Sequence, residues 1–268
     1  MVELKVIYED NDLLAIDKPA GIIVFPEKPM AEKTSCGERS RTIIDYLLEK
    51  PSTRAEFGAG LVPHRNKVSG AGFPDLKNVG KPPRFGIVHR LDKETSGILL
   101  IAKNDKALKF FQKQFEERRV IKKYLALVVG NIKENQGGIE TLIGRSPKNR
   151  KKQRVYLPFE PLAKEKKLRE AKTEYKVLKR FKDYTLIEAI PKTGRKHQIR
   201  VHFSNLGHPI AGDKMYGFKS QSTPKDLNRL FLHSHYLKIK LPKGGEIEIE
   251  SALPKDLKEV LEKLNYGN

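Results

Sequence analysis

Asp92 is the residue whose surroundings in this sequence most suggest chemistry. It lies in the run His89-Arg90-Leu91-Asp92-Lys93-Glu94-Thr95-Ser96-Gly97, where bases, hydroxyls and a glycine precede an apolar segment. Such a run favours a loop held by the element that follows, and loops of this kind carry function more often than packing. One interpretation is a carboxylate that acts on a substrate, alone or paired with Glu94 as in glycosidases. The alternative is an aspartate that only hydrogen-bonds the backbone of a turn.

The segment after the loop predicts the element that holds it. Ile98-Leu99-Leu100-Ile101-Ala102 is a continuous apolar run, typical of a buried strand. Asn104 then offers an N-cap for a helix that continues to Arg118-Arg119, with Leu108, Phe111 and Phe115 at helical spacing. The carboxylate is therefore predicted on a loop that leads into a buried strand.

The segments before the loop predict a hairpin followed by irregular chain. Residues 4–9 and 12–17 form two apolar runs around Asp10-Asn11, and Ile22-Ile23-Val24 predicts a further short strand. Residues 26–83 are rich in Pro, Gly, Ser and Lys, and within them only Arg41 to Glu49 predicts a helix. We therefore expect residues 26–83 to form an irregular insertion.

The second half of the sequence predicts a largely antiparallel sheet. The predicted strands are residues 123–130, 137–143, 173–178, 184–191, 231–241 and 246–250. One helix should follow Lys192-Thr193-Gly194-Arg195-Lys196-His197, with Ile199, Phe203 and Leu206 on one face and Arg200 flanking it. A last helix begins at Pro254 and carries the apolar stripe Leu257, Val260, Leu261 and Leu264. Many strands without regular β-α alternation favour an α+β fold in one domain, residues 1–268.

The charge of the chain favours a polyanionic partner. Lys and Arg number 53 against 33 Asp and Glu, giving a net charge of +20 and a pI of about 9.8. Residues 145–182 alone hold 15 Lys or Arg and four Glu, which makes this segment the candidate surface for a phosphate backbone. A solvated charged loop is the alternative for that segment. Nucleic acid is the leading candidate partner.

Several classes of function find no support in the sequence. Cys36 is the only cysteine, so an internal disulfide and a thiolate metal cluster are excluded. The seven histidines show no HExxH arrangement, and we expect no metal. A Walker loop and a dinucleotide fingerprint are absent, as are a signal peptide and an apolar run of membrane-spanning length. These absences predict a cytoplasmic protein with no membrane partner, and nothing demands more than a monomer.

Three ordered motifs resemble one enzyme family. The run from His89 to Gly97 looks like the catalytic motif of the pseudouridine synthases of the RluA type, which modify ribosomal and transfer RNA. Asp12-Leu13-Leu14-Ala15-Ile16-Asp17-Lys18-Pro19-Ala20-Gly21 resembles the first motif of that family, and Gly194-Arg195-Lys196-His197-Gln198-Ile199-Arg200-Val201-His202 resembles its third. Leu206-Gly207-His208-Pro209-Ile210 and Gly212-Asp213 extend the resemblance over nearly the whole chain.

The resemblance implies an isomerase that acts on specific uridines in structured RNA without a cofactor. Asp92 would attack C1′ of the sugar or remove a proton at C2′, and both routes need the ionised carboxylate. Arg200 would pair with that carboxylate, lowering its pKa and fixing its direction. Tyr124 would stack on the base that has left its helix and assist proton transfer at C5. Core packing is the alternative for Tyr124 and for Ile199.

The resemblance also implies contacts to the substrate and an overall architecture. Ile199 would form an apolar wall for the uracil, Arg90 would help to hold the nucleotide out of its stack, and His197 and Gln198 would contact the substrate. The fold would be a mixed, largely antiparallel sheet forming two subdomains around a central RNA-binding cleft. Because the first motif lies close to the start of the sequence, we expect a catalytic domain without the N-terminal S4-like domain of many relatives. Phe25 stands where relatives often have His.

Two other functions stay open from the residues alone. The first is a nucleic-acid N-glycosylase that uses Asp92 and Glu94, and the second is a non-catalytic RNA-binding or ribosome assembly factor on the same fold. The resemblance favours large-subunit ribosomal RNA as the substrate, with transfer RNA as the alternative. The sequence does not choose the uridine.

Overall fold

The structure, a computed structural model, describes residues 4–26, 41–49, 76–156, 168–218 and 223–266. Its strands in those ranges are β1 Lys5–Glu9, β2 Leu13–Lys18, β3 Ser96–Ala102, β4 Ile121–Val129, β5 Gln136–Arg145, β6 Gln153–Tyr156, β7 Arg169–Arg180, β8 Tyr184–Pro191, β9 Leu232–Lys240 and β10 Glu246–Glu250. Its α-helices there are α1 Ile43–Glu49, α2 Asp105–Glu116, α3 Gln198–Asn205 and α4 Lys255–Tyr266, and a short 3-10 helix spans Leu76–Asn78. The chain divides into two compact units, Met1–Val120 with Lys238–Ser251, and Ile121–Leu237 with Ala252–Asn268.

The first unit contains an antiparallel arrangement of β1, β2 and β3. The predicted hairpin is confirmed, because the Asp10 carboxylate accepts hydrogen bonds from the backbone N–H of Asp12 and of Leu13, each at 2.7 Å. An aspartate that binds the amides two and three residues ahead closes a tight turn. β2 then pairs with β3, with Ile16 opposite Leu99. Every residue of β3 is buried, as a continuous apolar run predicts.

Helix α2 begins where the sequence predicts. The Asn104 side chain accepts a hydrogen bond at 2.9 Å from the backbone N–H of Ala107, which satisfies one of the unpaired amides of the first turn. Leu108 and Phe111 are buried on the face that the apolar spacing selects. The helix ends at Glu116, before the predicted Arg118-Arg119.

The second unit is an antiparallel sheet in the order β4-β8-β7-β5-β6. Residues 209–211 pair with β4 in an antiparallel direction. The Val129 N–H donates to the Pro209 carbonyl at 2.9 Å, and the Ala211 N–H donates to the Leu127 carbonyl at 2.8 Å. The core of the unit brings together β4, β8, α3 and α4, with Phe203, Ile210 and Leu257 fully buried. The α+β class with a largely antiparallel sheet is confirmed.

The structure corrects four local predictions. Ile22-Ile23-Val24 is not a strand, because the carbonyls of Ile23 and Val24 accept from the first amides of α1. Ser96-Gly97 belongs to β3 and not to the turn before it. The pattern of the basic segment does not predict β6, which forms there by pairing with β5. Leu206 was expected on the apolar face of α3, but it follows the helix and is 45% exposed.

Two longer predictions fall largely or partly outside the described residues. Of the predicted insertion, residues 26–83, the structure describes 26, 41–49 and 76–83, and there the predicted helix is present as α1. Of the basic segment, residues 145–182, it describes all but 157–167. The described part of that segment consists mainly of β6, β7 and the turn that precedes β6.

Candidate active site

Asp92 lies on a loop of the first unit that is anchored by buried residues on both sides. Asp92 itself is partly exposed, whereas Leu91 before it and Thr95 after it are buried. The backbone N–H of Thr95 donates to the Asp92 carbonyl at 3.2 Å, which closes the turn. The Asp92 carboxylate is thus carried by a short turn between a buried leucine and a buried strand.

A buried lysine ties this loop to the segment after β2. Lys18 is 0% exposed, and its Nζ donates to the carbonyls of Pro19 at 2.6 Å, Ile22 at 2.9 Å and Lys93 at 3.2 Å. The Lys93 carbonyl also accepts from the backbone N–H of Gly21 at 2.8 Å. A buried ammonium must be hydrogen-bonded, because burial without partners is costly. The residue next to Asp92 is therefore held by two donors.

His89 and Arg90 fix the start of the same loop. The His89 ring accepts the Leu100 backbone N–H at Nε2, at 3.2 Å, and stacks on Phe115 with the ring centres 4.7 Å apart. Because Nε2 accepts, the neutral ring carries its hydrogen on Nδ1. Arg90 is exposed, and its guanidinium lies 5.3 Å from the centre of the Phe25 ring. Phe25, which replaces the histidine expected from relatives, thus packs beneath Arg90 as an aromatic platform.

Tyr124 and Ile199 belong to the second unit. Tyr124 lies on β4 opposite Ala189 of β8 and is partly buried against the core of the unit. Ile199, on the first turn of α3, is 6% exposed and belongs to the same core. Both residues lie on regular elements of the core, which fixes the positions of their Cα atoms.

Arg200 forms a buried ion pair that sequence reasoning missed. Its Nε donates to Oδ2 of Asp213 at 2.7 Å, and its Nη2 donates to Oδ1 at 2.8 Å. The backbone N–H groups of Met215 and Tyr216 also donate to Oδ1, each at 2.9 Å. Burial by itself raises the pKa of the Asp213 carboxyl, but Arg200 and the two amides outweigh it, and the pKa falls below its ordinary value.

Gly212, the residue before Asp213, lies directly against another backbone segment. Gly212 has a φ of +75°, and a Cβ added there would lie 2.1 Å from the Arg229 carbonyl oxygen. Only a residue without a side chain fits so close to another backbone. The Gly-Asp pair in the sequence was therefore a signal for a positioned carboxylate, although its spacing did not reveal Arg200 as the partner.

His197 lies before α3 in a left-handed conformation, with a φ of 58°. Its side chain caps no helix amide. Instead, its Nδ1 lies 2.8 Å from the Tyr216 hydroxyl, and the two rings meet edge to face with centres 5.5 Å apart. The Arg200 guanidinium lies 5.0 Å from the centre of the same Tyr216 ring. Tyr216 therefore contacts two of the residues that the sequence selected.

The Gln198 amide is fully engaged within the protein. Its oxygen accepts from the Thr193 hydroxyl at 2.7 Å and from the Arg195 backbone at 3.0 Å. Its nitrogen donates to the Lys172 carbonyl at 3.0 Å and to the Thr173 hydroxyl at 2.9 Å. An amide group has two donors and two acceptor sites, so Gln198 contacts a substrate only by giving up one of these bonds.

His202 extends this network through the unit. Its Nδ1 lies 3.0 Å from the Thr173 hydroxyl and its Nε2 lies 3.0 Å from the Thr141 hydroxyl. Burial lowers the pKa of His202 to about 4, so the ring is neutral at pH 7. The network fastens α3, which carries Ile199 and Arg200, to β5 and β7.

The predicted site residues therefore divide between the units. Asp92 and Arg90 are in the first, and the second holds Tyr124, His197, Gln198, Ile199 and Arg200. Within the described residues, no group of three or more His, Cys, Asp or Glu side chains is arranged to hold a metal ion. No helix among those residues is long and apolar enough to cross a membrane.

Comparison with known proteins identifies the family. The sequence profile described as RNA pseudouridylate synthase matches residues 12–205. An uncharacterised RNA pseudouridine synthase of Aquifex aeolicus is 39% identical over 252 residues, covering 91% of this chain and 67% of its own length. A second uncharacterised one, from Bacillus subtilis, is 36% identical over 264 residues, covering 98% and 73%. The ribosomal large subunit pseudouridine synthase D of Nitrosomonas europaea is 36% identical over 267 residues, covering 97% of this chain but only 65% of its own length.

The fold has solved counterparts. The human RNA pseudouridylate synthase domain containing 4 superposes with a TM-score of 0.67 at 23% identity, covering 97% of this chain and 93% of that one. The human RNA pseudouridylate synthase domain containing 1 gives a TM-score of 0.65 at 24% identity, covering 98% and 95%. At these identities the likeness concerns the fold, and the sequence matches carry the assignment. This chain belongs to the RNA pseudouridylate synthase family, and its class of enzyme is an RNA pseudouridine synthase, an isomerase.

Proposed function

We propose that the enzyme converts uridines of large-subunit ribosomal RNA to pseudouridine, and that Asp92 begins the reaction. The observation that carries the proposal is the position of Asp92. It is partly exposed, and the carbonyl of the next residue, Lys93, accepts hydrogen bonds from Lys18 and Gly21. A reacting group gains most when its position is fixed before the substrate arrives. The region that the family profile matches includes this loop and both residues that hold it.

The reaction moves one bond and leaves the composition of the nucleotide unchanged. The bond from C1′ to N1 breaks, the detached uracil turns, and C5 bonds to C1′. C5 loses its proton, and N1 ends with one. Asp92 either attacks C1′ as a nucleophile or removes a proton at C2′, and the carboxylate must be ionised in both cases. Since no electrons enter or leave, the atoms balance without a redox cofactor.

The remaining site residues serve the detached base and the carboxylate. We assign Tyr124 to stacking on the base and to the proton at C5, Ile199 to the apolar contact with the uracil, and Arg200 to pairing with the reacting carboxylate. The bidentate pair with Asp213 holds the Arg200 guanidinium in one orientation, so its charge has a fixed direction before a substrate arrives.

The exposed basic side chains of the β5–β6 connection support the choice of RNA as substrate. The exposed basic residues of this connection are Lys148, Arg150 and Lys151, and it is flanked by the exposed Arg145 at the end of β5 and Arg154 in β6. Elsewhere in the basic segment, Lys172 pairs with Glu140, and Arg180 donates to the carbonyls of Ile132 and Lys133. We propose that the phosphate contacts lie at the β5–β6 connection. Extruding a uridine costs a few kcal/mol, which such contacts can offset.

Arg90 is the candidate for holding the extruded nucleotide. It is exposed, follows the His89 anchor directly and lies over the Phe25 ring. A guanidinium supported by an aromatic ring keeps its plane while it contacts a base or a phosphate. We also assign His197 and Gln198 to the substrate site. Gln198 would act through the loop of Thr193 and Arg195, to which it is hydrogen-bonded.

The choice of large-subunit ribosomal RNA is supported by similarity to ribosomal large subunit pseudouridine synthases. The Nitrosomonas europaea protein, 36% identical over 267 residues, is a ribosomal large subunit pseudouridine synthase. The chain spans 65% of the length of that relative. Transfer RNA is the competing substrate.

The test uses purified full chain with large-subunit ribosomal RNA and with transfer RNA, both synthesised without modification. Nucleoside analysis by mass spectrometry after pseudouridine-specific derivatisation reports the product. We expect pseudouridine at defined positions of the ribosomal RNA with no cofactor added. Pseudouridine in transfer RNA alone would overturn the substrate, and free uracil without pseudouridine would overturn the isomerase in favour of a glycosylase.

A further inference from the structure

Tyr216 is buried at the meeting point of three elements of the second unit. It is 8% exposed, and its hydroxyl accepts the backbone N–H of Gln153, on β6, at 2.7 Å. The same hydroxyl lies 2.8 Å from Nδ1 of His197, at the start of α3. Its backbone carbonyl accepts from the Ser204 hydroxyl at 2.8 Å, near the end of α3. Tyr216 therefore contacts both ends of the helix that carries Arg200.

One arrangement gives the hydroxyl both a donor and an acceptor as partners. The Gln153 amide can only donate, so it takes one lone pair of the phenol oxygen. The phenol hydrogen then needs an acceptor, and Nδ1 of His197 lies at hydrogen-bond distance. In this arrangement the neutral His197 ring carries its own hydrogen on Nε2. The tyrosine would fix both the direction and the tautomer of the ring.

The conformation of His197 indicates that its side chain is used for something other than helix formation. A non-glycine residue with a φ of 58° is uncommon, and a residue at a helix start usually caps an amide with its side chain. His197 has this uncommon φ, and its side chain caps no amide of the helix. Its ring contacts the Tyr216 hydroxyl instead. Strained residues of this kind persist where the surrounding structure holds them, often at functional sites.

The loop that carries Tyr216 also holds Arg200. The Tyr216 backbone N–H donates to Oδ1 of Asp213, the oxygen that binds Nη2 of Arg200. The Tyr216 ring lies beside the guanidinium, 5.0 Å from its centre. One residue thus reaches His197 through its hydroxyl and Arg200 through its ring and its amide.

We propose that Tyr216 is a positioning residue for pseudouridine formation, which holds His197 through its hydroxyl and supports Arg200 through its ring. This inference rests on the proposed function and deepens it. Tyr216 acts through His197 and Arg200 and need not touch the RNA. The hydroxyl and the ring should therefore be separable by substitution.

The test compares Tyr216→Phe with Tyr184→Phe, which removes the hydroxyl of another buried tyrosine of the same unit. Circular dichroism, the thermal midpoint and the RNA dissociation constant confirm that both variants fold and bind. We expect Tyr216→Phe to lower kcat about tenfold with KM little changed, the size of one lost positioning hydrogen bond. Tyr184→Phe should keep the wild-type kcat. Equal kcat for both variants and wild type, or equal losses in both, would overturn the proposal.

A double-mutant cycle identifies the route of the effect. If the hydroxyl acts through His197, Tyr216→Phe should lower kcat in the wild-type background and have no further effect in a His197→Ala background. Independent, multiplying losses would overturn the route through His197. An inactive wild-type enzyme would instead contradict the proposed function, so the two failures are distinguishable.

Discussion

The buried His202 ring makes the stability of the fold depend on pH in a defined window. In the folded protein the pKa of His202 is lowered by burial to about 4, whereas an unfolded histidine titrates near its ordinary value of 6.5. Between these pH values His202 is protonated in the unfolded chain and neutral in the folded protein, so a fall in pH favours unfolding. The contribution of His202 is complete above pH 6.5 and declines as the pH falls towards 4. The whole displacement corresponds to about 3 kcal/mol.

The perturbation is His202→Gln, measured by urea unfolding at pH 7.0 and at pH 4.5. At pH 7.0 the variant should be less stable, because the hydroxyls of Thr141 and Thr173 lose their shared partner. Between the two pH values the wild type should lose about 2 kcal/mol more of its free energy of unfolding than the variant does. The stability advantage of the wild type should therefore shrink in acid.

A neighbouring substitution controls for destabilisation alone. Phe203 follows His202 on α3 and is 0% exposed, so Phe203→Leu weakens the same helix without removing a titrating group. The difference between wild type and Phe203→Leu should stay constant from pH 7.0 to pH 4.5. If His202→Gln also follows the wild type in parallel, the ring takes up its proton equally in both states, and the reasoning from burial is refuted.

Two further predictions concern RNA binding and the loop of Asp213. Replacing three exposed bases of the β5–β6 connection by Gln (Lys148, Arg150 and Lys151) should lower the slope of log K against log salt by about 2 to 3, because each phosphate contact contributes about 0.7 to 0.9. Binding measured from 50 to 300 mM salt checks this, and an unchanged slope would place the phosphate contacts elsewhere. Gly212→Ala should lose several kcal/mol of stability, since its Cβ would overlap the Arg229 carbonyl. Wild-type urea unfolding would contradict that packing.

Local signals predicted those parts of the fold whose cause is local. Asp10 closes the β1–β2 hairpin through amides two and three residues ahead, and Asn104 caps α2 through an amide three residues ahead. Both interactions can be recognised from residue types and spacing. The alternating pattern of β8 likewise follows from burial on one face of the sheet.

Partners distant in sequence account for the parts that were not predicted. The segment Ile22-Ile23-Val24 looks like a strand, but its carbonyls accept from the first turn of α1, about twenty residues away. β6 has only four residues among many bases, and it forms because β5 supplies its hydrogen bonds. Tertiary contacts decide such short segments, and no local pattern announces them.

The same distinction holds for the candidate site. The motif residues were recognisable, but the groups that support them were not. Lysine is rarely buried, so the 0% exposure of Lys18 could not be expected from its type. The Asp213 carboxylate was visible as part of a motif, whereas its bidentate bond to Arg200 joins a loop to a helix and has no local signal.

The role of Asp92 is the central claim, and tritium release from RNA labelled at C5 of uridine tests it most directly. The C5 hydrogen leaves when C5 bonds to C1′, so released tritium counts isomerisation events. The wild type and Glu94→Gln should release tritium at similar rates, whereas Asp92→Asn should release none while it binds the RNA with unchanged affinity. Sustained release by Asp92→Asn, or its loss in Glu94→Gln, would contradict the assignment of Asp92 as the carboxylate that begins the reaction.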